Sequence, residues 1–140
     1  MVGIVVVGHG RLAVEMGQAL ETVLGPIEAF AAVVTAAGDS PESIHTAIRE
    51  AVTRVDRGDG VIILTDLFGD TQTNQSLGVA RETGAEVVAG VNMPILIKLA
   101  TSRAGMDART LAGFIRRYGQ DHILWATEQA APGPQTQPAR

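Results

Sequence analysis

Apolar positions in this chain switch repeatedly between two spacings. Gly3–Val7 ("GIVVV") is a continuous, mostly β-branched run, as in a strand covered on both faces. From Arg11 the period lengthens to that of a helix, with Leu12, Met16, Ala19, Leu20, Val23 and Leu24 on one stripe, and Gly25-Pro26 stops it. Glu28–Thr35 ("EAFAAVVT") reads as a second strand. Ser40-Pro41-Glu42-Ser43 then supplies an N-cap with proline at the first helical position. The helix behind it carries Ile44, Ala47, Ile48, Ala51, Val52 and Val55 on its buried side. Gly60–Asp66 is a third strand, followed by a helix from near Thr71 to Gly84, and Ala85–Val91 is a fourth strand. Pro94 opens another helix. The segment "DARTLAGFIRRYG" is amphipathic, with Leu111, Phe114, Ile115 and Tyr118 on one face. A short apolar run, "HILWAT", comes last. The pattern thus predicts a folded domain over 1–127 and an Ala/Pro/Gln-rich, unpacked tail over 128–140.

Strands alternating with helices imply right-handed βαβ units, and hence an α/β fold: an open, mainly parallel sheet with helices on both faces. In such sheets the ligand site lies beyond the carboxyl ends of the strands. That rule gathers "GHGR", "TDLFGDTQTN" and "GVNMP" in one place, and predicts that His9, Asp66 and Asn92 lie within a few ångströms of each other.

Composition narrows the chemistry. With 140 residues the chain suits a single domain. It has no cysteine, which removes disulfides, thiolate metal sites and a cysteine nucleophile, and nothing contradicts a reducing cytoplasm. A net charge of −4 argues against a nucleic-acid or anionic-membrane surface, whose affinity depends on clustered Lys and Arg. The start "MVGIVVVGHG" lacks a basic leader and its apolar run is short, so it reads as a strand rather than a signal peptide or membrane span. Aromatics are only 4% of residues, so the core is aliphatic.

Of three histidines, His45 borders the apolar stripe of its helix and His122 sits at a strand entrance, both ordinary places for an imidazole. His9 differs by position. It lies in a strand-to-helix turn between two glycines that let backbone N–H groups approach a ligand, with the positive end of a helix aimed at the same spot. An imidazole in an anion-binding corner suggests phosphoryl transfer to histidine, since its near-neutral pKa leaves a nitrogen with a free lone pair. Such a nucleophile needs a carboxylate on its other ring N–H to fix the tautomer. Asp66, ending a buried strand, is the candidate; a helix cap or turn is the alternative for it. Arg11 is a candidate for holding the incoming phosphate, or a solvated first-turn arginine. Gly8–Ala13 also matches the dinucleotide pattern G-x-G-x-x-A, but an acidic residue at the end of the second strand is missing: Asp39 lies four residues beyond Thr35. No Gly-Lys-Ser/Thr follows the turn, and no two histidines have metal-ligand spacing, so no metal is expected.

Together, "VVVGHG", "GVIILTDLFGDTQTN" and "VVAGVNMPIL" resemble the enzyme IIA domain of the mannose family of the phosphotransferase system, over roughly Val2 to Thr127. The resemblance implies that His9 accepts a phosphoryl group from the phosphocarrier HPr and passes it to a IIB component, with Asp66 hydrogen-bonded to it. Gly10, Arg11, Gly69 and Thr71 would then line the phosphate seat. It further implies a cytoplasmic homodimer in which Ile123–Ala126 completes the partner's sheet as an antiparallel edge strand, with neither metal nor organic cofactor. A regulatory module read out through the same phosphohistidine, a dihydroxyacetone-kinase phosphocarrier subunit and a small nucleotide-binding domain are the competing readings.

One stretch departs from the family's pattern. The aspartate is usually continued by Gly-Gly, Ser or Thr, Pro, any residue, Asn; here "GDTQTN" puts Asp70 at the second glycine and Gln72 at the proline, while Gly69, Thr71 and Asn74 keep their places. Asp70 suits an N-cap. At ~7 Å and an effective dielectric of about 40, its charge would oppose a phosphoryl group by roughly 1 kcal/mol per unit charge. A more labile phospho-form is the expectation.

Overall fold

A computed structural model of the chain describes residues 1–130. Four strands, β1 (Gly3–His9), β2 (Phe30–Thr35), β3 (Val61–Thr65) and β4 (Glu86–Ala89), form one sheet in the order β2-β1-β3-β4, every pair parallel. Six helices join and flank them: α1 (Leu12–Leu24), α2 (Pro41–Val55), α3 (Thr71–Thr83), α4 (Met93–Ser102), α5 (Ala108–Asp121) and the short α6 (Ala126–Gln129). Among the described residues no helix is long and apolar enough to cross a membrane.

The alternation of Cβ direction along β1 and β3 divides the core into two layers. Ile4, Val6, Ile62 and Leu64 face a layer built with Leu20 of α1, Leu96 and Leu99 of α4, and Leu111 and Ile115 of α5. Val5, Val7, Val61 and Ile63 face the other, with Ile44, Ile48 and Val52 of α2 and Val79 of α3. Both faces of the central strands are sealed, which is why they read as unbroken apolar runs.

The helix stripes are met unevenly. On α2 the buried residues are Ile44, Ile48, Ala51, Val52 and Val55, as the spacing predicts. On α1 they are Ala13, Gly17 and Leu20, whereas Leu12, Val23 and Leu24 are exposed. The reason is contact distance. A Cβ on Gly17 would lie 2.8 Å from the Phe30 ring, so α1 seats its small residues against the sheet and turns larger ones outward. On α5, likewise, Phe114 is partly exposed while Ala108 and Ala112 are buried with Leu111 and Ile115.

The chain end departs from the sequence expectation. Within the chain Ile123–Ala126 forms no strand: 123–125 lie outside the sheet and Ala126 opens α6. Its side-chain pattern carries the strand signal, but β4, one of the two edge strands, has no outer neighbour among the described residues. The expected tail over 128–140 begins as the last residues of α6, and 131–140 lie outside the described residues.

Candidate functional site

The strand order reverses direction at the centre of the sheet. β1 leads through α1 to β2 on one side, and β3 leads through α3 to β4 on the other, so the turns after β1 and β3 diverge and leave a crevice between them. His9 ends β1, and Asp66 follows β3 directly. Gly10 makes the turn possible with φ +56, a conformation open to glycine, and its N–H donates to the Thr35 carbonyl at 2.8 Å.

Asp66 is the hub. Its Oδ2 accepts the His9 backbone N–H at 2.9 Å and lies 2.8 Å from His9 Nδ1, while Oδ1 accepts the Leu67 N–H at 3.0 Å. A carboxylate only accepts, so the ring proton of neutral His9 resides on Nδ1 and the lone pair on Nε2. The hydrogen bond to Asp66 raises the His9 pKa; partial burial opposes it, and the charges of Asp66 and Asp70 reinforce it. Burial pushes the Asp66 carboxyl upward, but the hydrogen bonds from the His9 backbone and ring outweigh it and leave its pKa lowered. Asp66 is nearly buried, whereas the His9 side chain is 51% exposed, so the ring is anchored on one nitrogen and open on the other.

The open nitrogen has a neighbour. Asp70 is the N-cap of α3, its Oδ1 accepting the Thr73 N–H at 2.8 Å. Its Oδ2 stands 3.6 Å from His9 Nε2 and has no hydrogen-bond partner among the described residues, although the atom is buried.

A cleft of about 1020 Å³ opens beside these groups, lined by His9, Gly10, Arg11, Gly69, Asp70 and Thr71 together with the β2–α2 loop. The five predicted site residues other than Asp66, namely His9, Gly10, Arg11, Gly69 and Thr71, therefore line one space, and Asp66 lies behind His9. Their roles differ. The Gly10 N–H is spent on Thr35, and Arg11, exposed, pairs with Glu15 at 3.5 Å. By helix geometry the first amides of α1 and α3 have no intrahelical acceptor, so two positive helix ends meet at the cleft.

Asn92 does not join the group. It caps α4 by accepting the Ile95 N–H at 2.9 Å, and lines a separate pocket with Val88, Gly90, Arg116 and Ile123. His45 bridges to Glu82 at 2.9 Å, tying α2 to α3, and His122 stacks on Tyr118 with Nδ1 2.7 Å from that residue's carbonyl. Neither approaches the cleft.

Sequence reasoning missed the polar scaffold beneath the turn. Thr35 Oγ1 donates to the Gly8 carbonyl at 2.9 Å and accepts from Gln72 Nε2 at 3.0 Å, so the residue in place of the family's proline ties α3 to the His9 turn. Thr65 and Thr73 share a hydroxyl contact at 2.8 Å, and Thr73 also donates to the Leu67 carbonyl. All four side chains are buried. The signal was a threonine ending both β2 and β3, where an apolar run would otherwise continue.

The dinucleotide reading fares poorly on the same scaffold. Thr35 stands where a ribose-binding acid belongs, and Asp39 is occupied by the Ala36 N–H at 2.7 Å. For a metal ion, atoms of His9, Asp66 and Asp70 come within 4.8 Å of one another. Asp66 is already committed to three N–H groups, however, leaving too few free donors for a closed coordination shell.

Residues 3–115 match the family model described as "PTS system fructose IIA component". Over 129 residues the chain is 22% identical to the fructose-specific EIIA component of Bacillus subtilis (strain 168), covering 91% of this chain and 88% of that one. Over 127 residues it is 26% identical to the sorbose-specific EIIA component of Lacticaseibacillus casei, covering 90% and 91%. A solved EIIA structure from Streptococcus agalactiae superposes with a TM-score of 0.83 at 23% identity, covering 91% of this chain and 99% of that one. A mannose/sorbose IIA subunit from Enterococcus faecalis gives 0.80 at 21%, covering 97% and 98%. These likenesses establish a shared fold.

Proposed function

Since the chain belongs to the mannose/fructose IIA family of the sugar phosphotransferase system, we propose that it is a histidine phosphocarrier whose acceptor atom is His9 Nε2. One observation carries the reading: Asp66 holds Nδ1 at 2.8 Å while the other ring nitrogen faces an open cleft. The donor is phospho-HPr and the acceptor a IIB component, both meeting the protein in the cytoplasm, and the sugar crosses the membrane through other components of the system.

The transfer needs little chemistry from the protein beyond position and charge. The Nε2 lone pair attacks phosphorus as the donor's N–P bond breaks, and the donor nitrogen keeps that electron pair. Positive charge develops on the ring and is met by Asp66 across the Nδ1–H bond. The first amides of α1 and α3 face the incoming oxygens, with Gly69 and Thr71 shaping the wall and Arg11 free to swing from Glu15 toward the dianion. No metal or organic cofactor enters this scheme.

The active form is a homodimer. Ile123 and Trp125 are 78% and 70% exposed, an unusual setting for a large apolar pair, and the outer edge of β4 is unpaired among the described residues. A second copy's Ile123–Ala126 segment laid antiparallel on that edge would cover both at once.

Incubation with labelled phosphoenolpyruvate, enzyme I and HPr tests the reading. Acid-labile label on the wild type, absent from His9→Ala, is the expected result; label that survives the substitution refutes the assignment.

A further inference from the structure

Asp70 is not needed to orient the ring, since Asp66 does that, and capping α3 uses only one of its oxygens. The second oxygen has no protein donor, is buried, and stands 3.6 Å from the one ring nitrogen the transfer uses. An unpaired buried carboxylate oxygen is costly unless a cation faces it, and the nearest group able to become one is the imidazole. Resting on the phosphocarrier reading above, we propose that Asp70 is a third member of the site: it pairs with the Nε2–H of the protonated imidazole and accepts that proton when the ring becomes a nucleophile, so that taking up a phosphoryl group is coupled to proton release.

The balance is simple. When the imidazole is protonated both ring nitrogens carry hydrogen, Nδ1–H directed to Asp66 and Nε2–H toward Asp70. The separation of 3.6 Å is an ion-pair distance, slightly beyond a direct hydrogen bond, so a small ring movement precedes transfer. The proton passes to Asp70 Oδ2 and on to solvent through the cleft, and the electron pair of the N–H bond becomes the lone pair that attacks phosphorus. Once the phosphoryl group is seated, the Asp70 carboxylate faces a dianion. That repulsion disfavours the loaded state and drives the group onward to its acceptor or to water.

The remaining charges around the ring do not replace Asp70. Arg11, at the start of α1, is paired with Glu15, and Asp39, in the β2–α2 loop, is tied to the Ala36 N–H. Asp66 and Asp70 are the carboxylates in direct reach of the imidazole. Asp70 accordingly adds to the effect of Asp66 in raising the His9 pKa.

Asp70→Asn separates this role from capping, because asparagine caps a helix as well as aspartate does while carrying no charge. The His9 ring is titrated by NMR in wild type and variant, and the pH profile of phosphorylation by phospho-HPr is measured for both. The expected result is a midpoint lower by about 0.5–1 pH unit in the variant, a pH profile of phosphorylation displaced downward by the same amount, and a phospho-form that hydrolyses several-fold more slowly. Unchanged thermal unfolding confirms that the cap is intact. Coincident NMR midpoints overturn the proposal, as does a shifted midpoint with an unchanged rate profile and lifetime. A wild type that takes no label from phospho-HPr refutes the phosphocarrier reading instead, and the NMR titration, which needs no phosphorylation, keeps the two failures apart.

Discussion

The two ends of the sheet's functional half are finished to different degrees. At the divergence of β1 and β3 the polar groups under the turn are paired inside the chain, Thr35 with Gly8 and Gln72, Thr65 with Thr73, Asp66 with His9 and Leu67, and Asp70 Oδ2 beside the ring is the exception. At the β4 edge the reverse holds. Phe68, Ile123 and Trp125 project apolar surface with 83%, 78% and 70% exposure, and the strand's outer backbone lacks a neighbour among the described residues. A site that must hold one ring within a fraction of an ångström is built from internal hydrogen bonds, because these are directional. A surface left apolar is built to be covered, because hydrophobic burial is favourable against any partner of suitable shape. Under the proposed function, one copy holds the groups for transfer, and the β4 edge is where a second copy would dock.

The largest effects should come from the finished end. Asp66→Asn removes the charge that fixes the tautomer and meets the ring's developing positive charge; phosphorylation of His9 should fall about 100-fold or more, read as the initial rate of label uptake from phospho-HPr. Gln72→Ala should cost less, about 1–2 kcal/mol of stability, because it strands the buried Thr35 hydroxyl without its donor. Its rate of label uptake should fall with it if the α3–β2 tie positions the turn. A rate equal to wild type would mean that the scaffold supports the fold and not the site.

The unfinished end is tested by Trp125→Glu. The variant should sediment as a monomer at concentrations where the wild type is dimeric, with unchanged circular dichroism. A wild type that is itself monomeric would refute the proposed homodimer. A shared control is Ile48→Ala, from the fully buried layer under β1, which should destabilise the whole fold by about 2–4 kcal/mol in urea unfolding and so affect both ends together.

The smallest effect is the pH dependence of the His9–Asp66 pair. The folded pKa of His9 is raised, so its contribution to stability is full below the unfolded value of 6.5 and is lost as pH rises through the raised value. Asp66 is lowered, so its contribution is present above its unfolded value of 3.8 and is lost as pH falls through the lowered one. The stability difference between wild type and Asp66→Asn should be greatest at about pH 5–6 and shrink toward pH 9 in parallel urea titrations. Because half of the His9 side chain is exposed, the difference is modest.

Much of this was legible in the chain before any coordinates. The unbroken run in β1 and the repeating switch of period were enough for a parallel α/β sheet, because strands sealed on both faces leave a composition no other element shares. That His9 and Asp66 share one side of the sheet followed from topology, since a parallel sheet places all its carboxyl ends on one side. Which of the polar residues at that side would touch was another matter. Asn92 satisfies the same topological rule as Asp66, yet it spends its side chain on capping α4, and Asp70 sets its second oxygen 3.6 Å from His9 Nε2. Nor could the stripe on α1 be read correctly, since the closeness of Gly17 to Phe30 depends on a distance between elements far apart in sequence.

What the sequence settled by itself was what period and order govern: the four strands of the sheet, most of the helix faces, and the side of the sheet where His9 and Asp66 meet. These depend on local sterics and on hydrophobic patterning, both written residue by residue. The tertiary structure alone decided contacts: Asp70 facing Nε2, Gln72 reaching Thr35, small residues of α1 against the sheet, and an apolar chain end left outside it. A contact is fixed by how helices and strands settle against one another at ångström precision, and no spacing along a single chain encodes that distance.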